Sequence, residues 1–157
     1  MANLIEHKRA HFDFELLEQF EAGVQLFGTE VKSLREHHGK LEGAHITVRG
    51  GEAYLIGAEI PAFQPANTAK SYEATRNRRL LLTKKEIIKI GDAEEKAGLT
   101  IVPLSMYNKG RVIKLNFAIA KGKKKGDKRE TIKKREALRD IAREVKRGVE
   151  KISKHLR

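Results

Sequence analysis

Phe12, Phe14 and Leu16 alternate with Asp13 and Glu15, the period-two pattern of a strand with one buried face. Val24 and Leu26 resume that alternation after Ala22-Gly23. From Gly28 to Arg35, Val31 and Leu34 stand three apart among charged residues, which predicts a short helix beginning near Thr29. Ala44, Ile46 and Val48 then alternate with His45 and Thr47, and Gly50-Gly51 supplies the two positive-φ positions of a tight hairpin leading into Tyr54 to Ile56.

Residues 57–75 contain Pro61, Pro65, Asn67 and Ser71 with no sustained period, so a long irregular connection is expected, of the kind that binds something or moves. Next, Thr83 and Glu86 stand in capping-box spacing, Ile87, Ile90 and Ala97 share one face, and Gly98 can close the helix. Ile101 to Tyr107 and Val112 to Ala120 flank Asn108-Lys109-Gly110, with Ile113, Leu115, Phe117 and Ile119 pointing one way. That is a second hairpin. About six short strands, two or more helices and no βαβ rhythm predict a mainly β chain, a small antiparallel barrel or curled sheet of a type that often binds RNA. There is no internal repeat.

The end of the chain follows a different rule. Leu138, Ile141, Val145, Val149, Ile152 and Leu156 recur at spacings of three and four, and Glu130 with Lys134 and Glu150 with Lys154 make pairs one turn apart. A helix is encoded, yet the apolar stripe is thin, Gly148 interrupts it and like charges repel, so we expect order only on binding. Fully helical, residues 127–157 would extend about 45 Å at about 1.5 Å per residue.

Charge changes the picture most. Residues 121–157 hold 16 Lys/Arg against 6 Asp/Glu, leaving 17 and 15 in the other 120 residues, so +10 of the net +12 sits in the last 37 positions. A neutral body with a concentrated cationic arm suits a dense polyanion, RNA or DNA, through counterion release. Length supports the division: 157 residues make one domain, 1–120, and an appendage, 121–157. Zero cysteines exclude disulfides, thiol nucleophiles and cysteine zinc sites. The start, Met1 to Glu6, lacks the apolar core of a secretion signal, and no apolar run approaches the ~20 residues that span a bilayer. A soluble, cytoplasmic protein is expected.

Candidate chemistry is that of binding. Lys121, Lys123, Lys124 and Lys125, interleaved with Gly122 and Gly126, form a flexible cationic run able to track phosphates. Arg76, Arg78 and Arg79 follow the irregular connection, where they serve either as a charged strand edge or as phosphate ligands. Lys8, Arg9 and His11 look like an extension of the same surface. Asp127 and Glu130 have capping-box spacing and can begin the tail helix. Glu30 lies in the first turn of its helix, where the dipole favours a carboxylate. The six His, among them His37-His38, accompany no carboxylate set at metal-ligand spacing, and neither a nucleophile motif nor a phosphate-binding loop is present. No catalytic residue, metal or cofactor is expected.

Several runs together resemble the SsrA-binding protein family, small protein B or SmpB: Phe20-Glu21-Ala22-Gly23, Gly28 to Arg35, Gly51 to Leu55, Arg76 to Leu82, Ala120 to Lys125 and Asp127-Lys128-Arg129. They occur in the family's order from about Lys8 to Glu136, beyond which the tail matches in character alone. The resemblance implies an oligonucleotide-binding-like (OB-like) barrel that grips the transfer-RNA-like domain of transfer-messenger RNA. It further implies a tail that enters the decoding site and mRNA channel of stalled ribosomes, so that trans-translation tags the incomplete product. Glu30, Lys32, Ser33 and Arg35 would then form an RNA-facing patch, and Asp127, Lys128 and Arg129 would meet the decoding site. Implied partners are transfer-messenger RNA, small-subunit ribosomal RNA and elongation factor EF-Tu, with the protein a monomer. The chain departs from the pattern at His7, where the family commonly has Asn, at Ala74, where Pro is usual, and at Gly126, where His or Tyr often precedes Asp-Lys-Arg. Two other readings stay open: a ribosomal or assembly protein, and an RNA-processing enzyme using Glu30 with a histidine.

Overall fold

A computed structural model describes residues 3–123, 129, 132–143 and 146. The chain divides into two units, Met1–Gly122 and Lys123–Arg157. In the first, seven strands form one antiparallel sheet: β1 (Asn3–Glu6), β2 (Phe14–Val24), β3 (His45–Arg49), β4 (Glu52–Ile56), β5 (Arg78–Leu81), β6 (Leu99–Lys109) and β7 (Val112–Gly122). Their order is β1-β6-β7-β2-β5-β4-β3. Three helices accompany them, α1 (Ala10–Asp13), α2 (Gly28–Arg35) and α3 (Lys84–Glu95), with a 3₁₀ turn at Pro65–Asn67. The sheet curls until β3 comes close to β6, an open barrel that agrees with the mainly β expectation.

The strands follow the sequence periods where one face is apolar. Gly50 and Gly51 take φ of 58° and 77°, and the β3–β4 register runs from His45 opposite Ile56 to Arg49 opposite Glu52. In β7, Ile113, Leu115, Phe117 and Ile119 all turn inward and are at most 6% exposed. Phe117 lies against Phe20 of β2 with ring centroids 5.4 Å apart. Leu34, Leu55, Leu80, Ile90 and Met106 complete the same core. On the opposite side of the sheet, Ala10 of α1 covers a smaller cluster with Val102, Leu104, Ala118 and Ala120, which is why β6 is buried on both faces from Ile101 to Met106.

Four expectations are corrected. The runs at 12–16 and 24–26 are not separate strands: β2 is continuous from Phe14 to Val24, bulged between Leu16 and Glu18, and Phe12 belongs to α1. β1 and β5 are additional strands. Helix α3 ends at Glu95, so Ala93 and not the exposed Ala97 shares the buried face with Ile87 and Ile90. Lys121 and Gly122, assigned to the tail by charge, are the last residues of β7, with Lys121 opposite Glu15 and Leu99.

Thr83 caps α3 as its spacing predicts, its hydroxyl accepting from the Glu86 amide at 3.3 Å while Glu86 accepts from the Thr83 amide at 3.2 Å. Helix α2 ends differently. His37 takes φ 62° and the His38 amide reaches the Ser33 carbonyl at 3.0 Å, a left-handed closure usually given to glycine. His37 Nδ1 donates to the Leu4 carbonyl of β1 at 2.9 Å, which ties the helix end to the sheet. On the outer side of β3, Glu94 of α3 accepts from the Val48 amide at 3.0 Å and from the Thr47 hydroxyl.

In the second unit, residues 132–143 are helical and 129 has helical geometry. Ile132, Leu138 and Ile141 are 42%, 67% and 57% exposed. Val145, Val149, Ile152 and Leu156 of the expected stripe lie outside the described residues.

Candidate RNA interface

The site begins with a carboxylate that the residue pattern placed in the first turn of α2 and the family resemblance turned toward RNA. Glu30 stands at the third position of α2, where its carboxylate accepts from the Phe27 amide at 2.7 Å and so satisfies a helix-start donor. The irregular connection and β5 then bring two arginines onto the same group. Arg78 Nε donates to Glu30 Oε2 at 2.8 Å, and Arg76 Nε donates to the same oxygen at 3.1 Å while Arg76 Nη2 bonds Oε1. Glu30 and Arg78 are wholly buried and the Arg76 side chain is 22% exposed.

Every Arg78 donor is used. Nη1 donates to the Ala58 carbonyl at 2.9 Å and the Arg76 carbonyl at 3.0 Å, and Nη2 donates to the Ala74 carbonyl at 2.9 Å and the Tyr72 hydroxyl at 3.5 Å while lying 2.6 Å from Glu30 in the ion pair. A planar fork of five N–H groups suits such a buried hub where a lysine would not. Tyr72 adds its hydroxyl, donating to the Ile60 carbonyl at 2.6 Å. The knot therefore fastens both ends of the 57–77 connection to α2 and the barrel wall. Burial pushes the Glu30 carboxyl up, but hydrogen bonds from Arg76 and the Phe27 amide, with the Arg78 charge, outweigh it and hold the group below the usual carboxylate range. Burial, then the Glu30 charge, pushes the Tyr72 phenol up.

The RNA-facing expectation is corrected at three positions. Glu30, Ser33 and Arg78 are each 0% exposed, so they support the site from within and do not meet RNA from solvent. The Ser33 hydroxyl has no hydrogen-bond partner among the described residues. A Glu30 saturated by two guanidiniums and an amide is also a poor general base.

The other candidates are at the surface. Lys32 and Arg35 are exposed on α2, Arg35 donating to the Arg111 carbonyl at the β6–β7 tip at 3.3 Å. Lys8, Arg9 and His11 are exposed around α1, and Lys8 and His11 line a recess of about 300 Å³ with Gln19 and Asn116. Arg9 is 3.8 Å from Asp13 in an exposed pair worth little. Arg79 points outward from β5 and holds Glu52 at 3.0 Å. Lys121 and Gly122 are exposed at the end of β7, and Arg129 is exposed. Lys124, Lys125, Asp127 and Lys128 lie outside the described residues.

Sequence reading passed over a second charged cluster on the outer sheet face. Glu21 of β2 accepts from Lys109 at 2.8 Å and from the Tyr107 hydroxyl of β6. The Lys109 bond first, then the Tyr107 bond, pulls the Glu21 carboxyl down. Burial first, then the Glu21 bond, pushes the Tyr107 phenol up to about 12. Leu81 of β5 stands 52% exposed beside Gly23, where a Cβ would meet the Leu81 side chain at 3.3 Å. The run Phe20 to Gly23 signalled this place, but the partners sit 86 and 88 positions away. Among the described residues no group of three or more His, Asp or Glu is placed to hold a metal ion.

Comparison with known proteins is consistent along the chain. An SsrA-binding protein of Microcystis aeruginosa is 44% identical over 144 residues, 92% of this chain and 94% of that protein. The SsrA-binding protein of Mesoplasma florum is 46% identical over 140 residues, covering 89% and 94%. A solved chain described as "tmRNA-SmpB: a journey to the center of the bacterial ribosome" superposes with a TM-score of 0.65 at 36% identity, over 81% of this chain and 92% of that one. The family model of the SmpB protein matches residues 4–147, past the Glu136 limit of the visible motifs. The chain belongs to the SmpB protein family.

Proposed function

We propose that this protein is an RNA-binding adaptor that holds the transfer-RNA-like domain of transfer-messenger RNA and delivers it to stalled ribosomes for trans-translation. The observation that carries the reading is the match to SsrA-binding relatives over about nine-tenths of the chain, body and tail alike. The physical arrangement supports it: Lys8, Arg9, Lys32 and Arg35 are exposed on the barrel, and +10 of the net +12 is carried by residues 121–157. The barrel supplies recognition. Lys121 to Lys125 carry the charge onward, and Asp127, Lys128 and Arg129 meet the ribosomal decoding site, with the remaining tail in the mRNA channel. A tail that orders on binding surrenders entropy only in the correct setting, which favours specificity over affinity.

The protein works in the cytoplasm as a monomer, joined in the delivery complex by EF-Tu, and carries no chemistry of its own. No described helix is long and apolar enough to cross a membrane. The test is to purify the protein from its native cell and sequence the RNA that comes with it. One discrete RNA with a transfer-RNA-like end, substoichiometric to ribosomes, is expected. A one-to-one association with ribosomal RNA would overturn the reading in favour of a ribosomal component.

A further inference from the structure

The 61–75 segment and the start of α2 border a recess of about 520 Å³ whose lining includes Phe27, Asn67, Thr68, Tyr72, Glu73 and Arg76. We propose that this recess receives one unpaired nucleobase of the bound RNA, stacked on the Phe27 ring. The inference rests on the RNA-adaptor reading and deepens it.

Phe27 carries the argument. It is 55% exposed at the foot of α2, an aromatic that the fold does not bury although a core lies next to it. Its ring is nonetheless held in place: the Arg76 guanidinium stacks 3.9 Å from the ring centroid, and Arg76 is itself anchored to Glu30 and to the Gln25 carbonyl at 3.3 Å. A ring held this way is an ordered platform with open area, the arrangement with which proteins capture single-stranded bases. Other lining residues are also fixed, because the Tyr72 hydroxyl is bonded to the Ile60 carbonyl and the Thr68 hydroxyl donates to the Gln64 carbonyl at 2.8 Å. Little ordering remains to be done on binding.

Charge selects the occupant. Arg76 and Arg78 are balanced by Glu30 and Glu73, so the recess and its floor are close to neutral. A phosphate or an acidic side chain finds no net attraction there, whereas an uncharged heterocycle does. For its edge the recess offers the Glu73 carboxylate, which accepts from a base amino group. Asn67 spends one amide hydrogen on Gln64 at 3.1 Å, and its side-chain carbonyl and second N–H remain for a base. The size lies within the usual range of small-ligand pockets.

The experiment uses the full-length chain and the RNA that co-purifies with it. Phe27→Ala should weaken binding about tenfold, the scale of one lost stack, while the salt dependence stays unchanged, since stacking releases no counterions. Phe27→Tyr should bind like the parent, and both variants should melt like the parent. Chemical probing should show one unpaired base, protected by the parent and by Phe27→Tyr, becoming reactive with Phe27→Ala. Phe27→Trp places a lone indole in a chain with no tryptophan, and its emission should be quenched by equimolar RNA. If Phe27→Ala binds as tightly as the parent with every base still protected, or the indole is unmoved by saturating RNA, the subsite is refuted while the adaptor reading stands. If the parent itself captures no discrete RNA, both fall.

Discussion

Arg78 Nε donates to Glu30 Oε2 across 2.8 Å, with both side chains wholly buried although 48 positions separate them in the chain. Removing one member of such a pair strands the other in a medium that solvates it poorly, at a cost of about 3–5 kcal/mol. Glu30→Gln, nearly isosteric, should therefore lower the unfolding free energy by about that amount in urea titrations. It should also disturb RNA binding through the loosened 57–77 connection, without a missing contact. The pH profile gives an independent check. A carboxyl more acidic in the folded than in the unfolded chain contributes stability above the unfolded value and loses it as pH falls through the folded one. The parent should accordingly lose more stability on acidification below the ordinary glutamate range than Glu30→Gln does.

Tyr107 offers a spectroscopic handle. With its phenol pushed up to about 12, absorbance at the phenolate band should keep a late-titrating component that Tyr107→Phe removes. The folded phenol holds its proton more tightly than the unfolded one, so this contribution to stability is present below the unfolded value and is lost as pH rises toward 12.

Lys32 and Arg35 test the surface. Both are exposed on α2 beside the buried knot. If they contact phosphates, Lys32→Ala and Arg35→Ala should each weaken binding across RNA sequences and reduce the slope of log affinity against log salt by about one. Thermal stability should stay close to that of the parent. A slope unchanged in both variants would place the RNA on another face.

The division of labour between barrel and tail is testable by function. Replacing Asp127, Lys128 and Arg129 together by Ala should abolish tagging of stalled products and leave affinity for transfer-messenger RNA largely intact. Equal loss of both would mean that the two parts are not separable.

How much of this could be read from the chain depended on whether polarity and burial agree. The Gly50-Gly51 hairpin and the β6–β7 hairpin were legible because apolar residues alternate inward and glycine or asparagine marks the turns. β5 was not, because an arginine occupies an inward position where the pattern calls for an aliphatic: Arg78 and Leu80 face in, Arg79 and Leu81 out. β1 escaped because Leu4 and Ile5 are adjacent and both buried, between α2's end and the core, which defeats a period of two. The exposure of cations such as Lys8, Lys32 and Arg79 was legible because charge belongs at the surface by default. Glu30 was legible as a first-turn carboxylate of α2 but not as a buried one: its partners, Arg76 and Arg78, come from 46 and 48 residues downstream, and nothing local announces them.

Glu94 carries a final consequence. By occupying the Val48 amide and the Thr47 hydroxyl on the open side of β3, it plugs the hydrogen-bonding seam through which a foreign strand would otherwise attach. Protein molecules that gather on polyanions are brought to high local concentration, the condition under which unguarded seams zip together. A carboxylate lent by a neighbouring helix covers that part of the seam without shortening the strand.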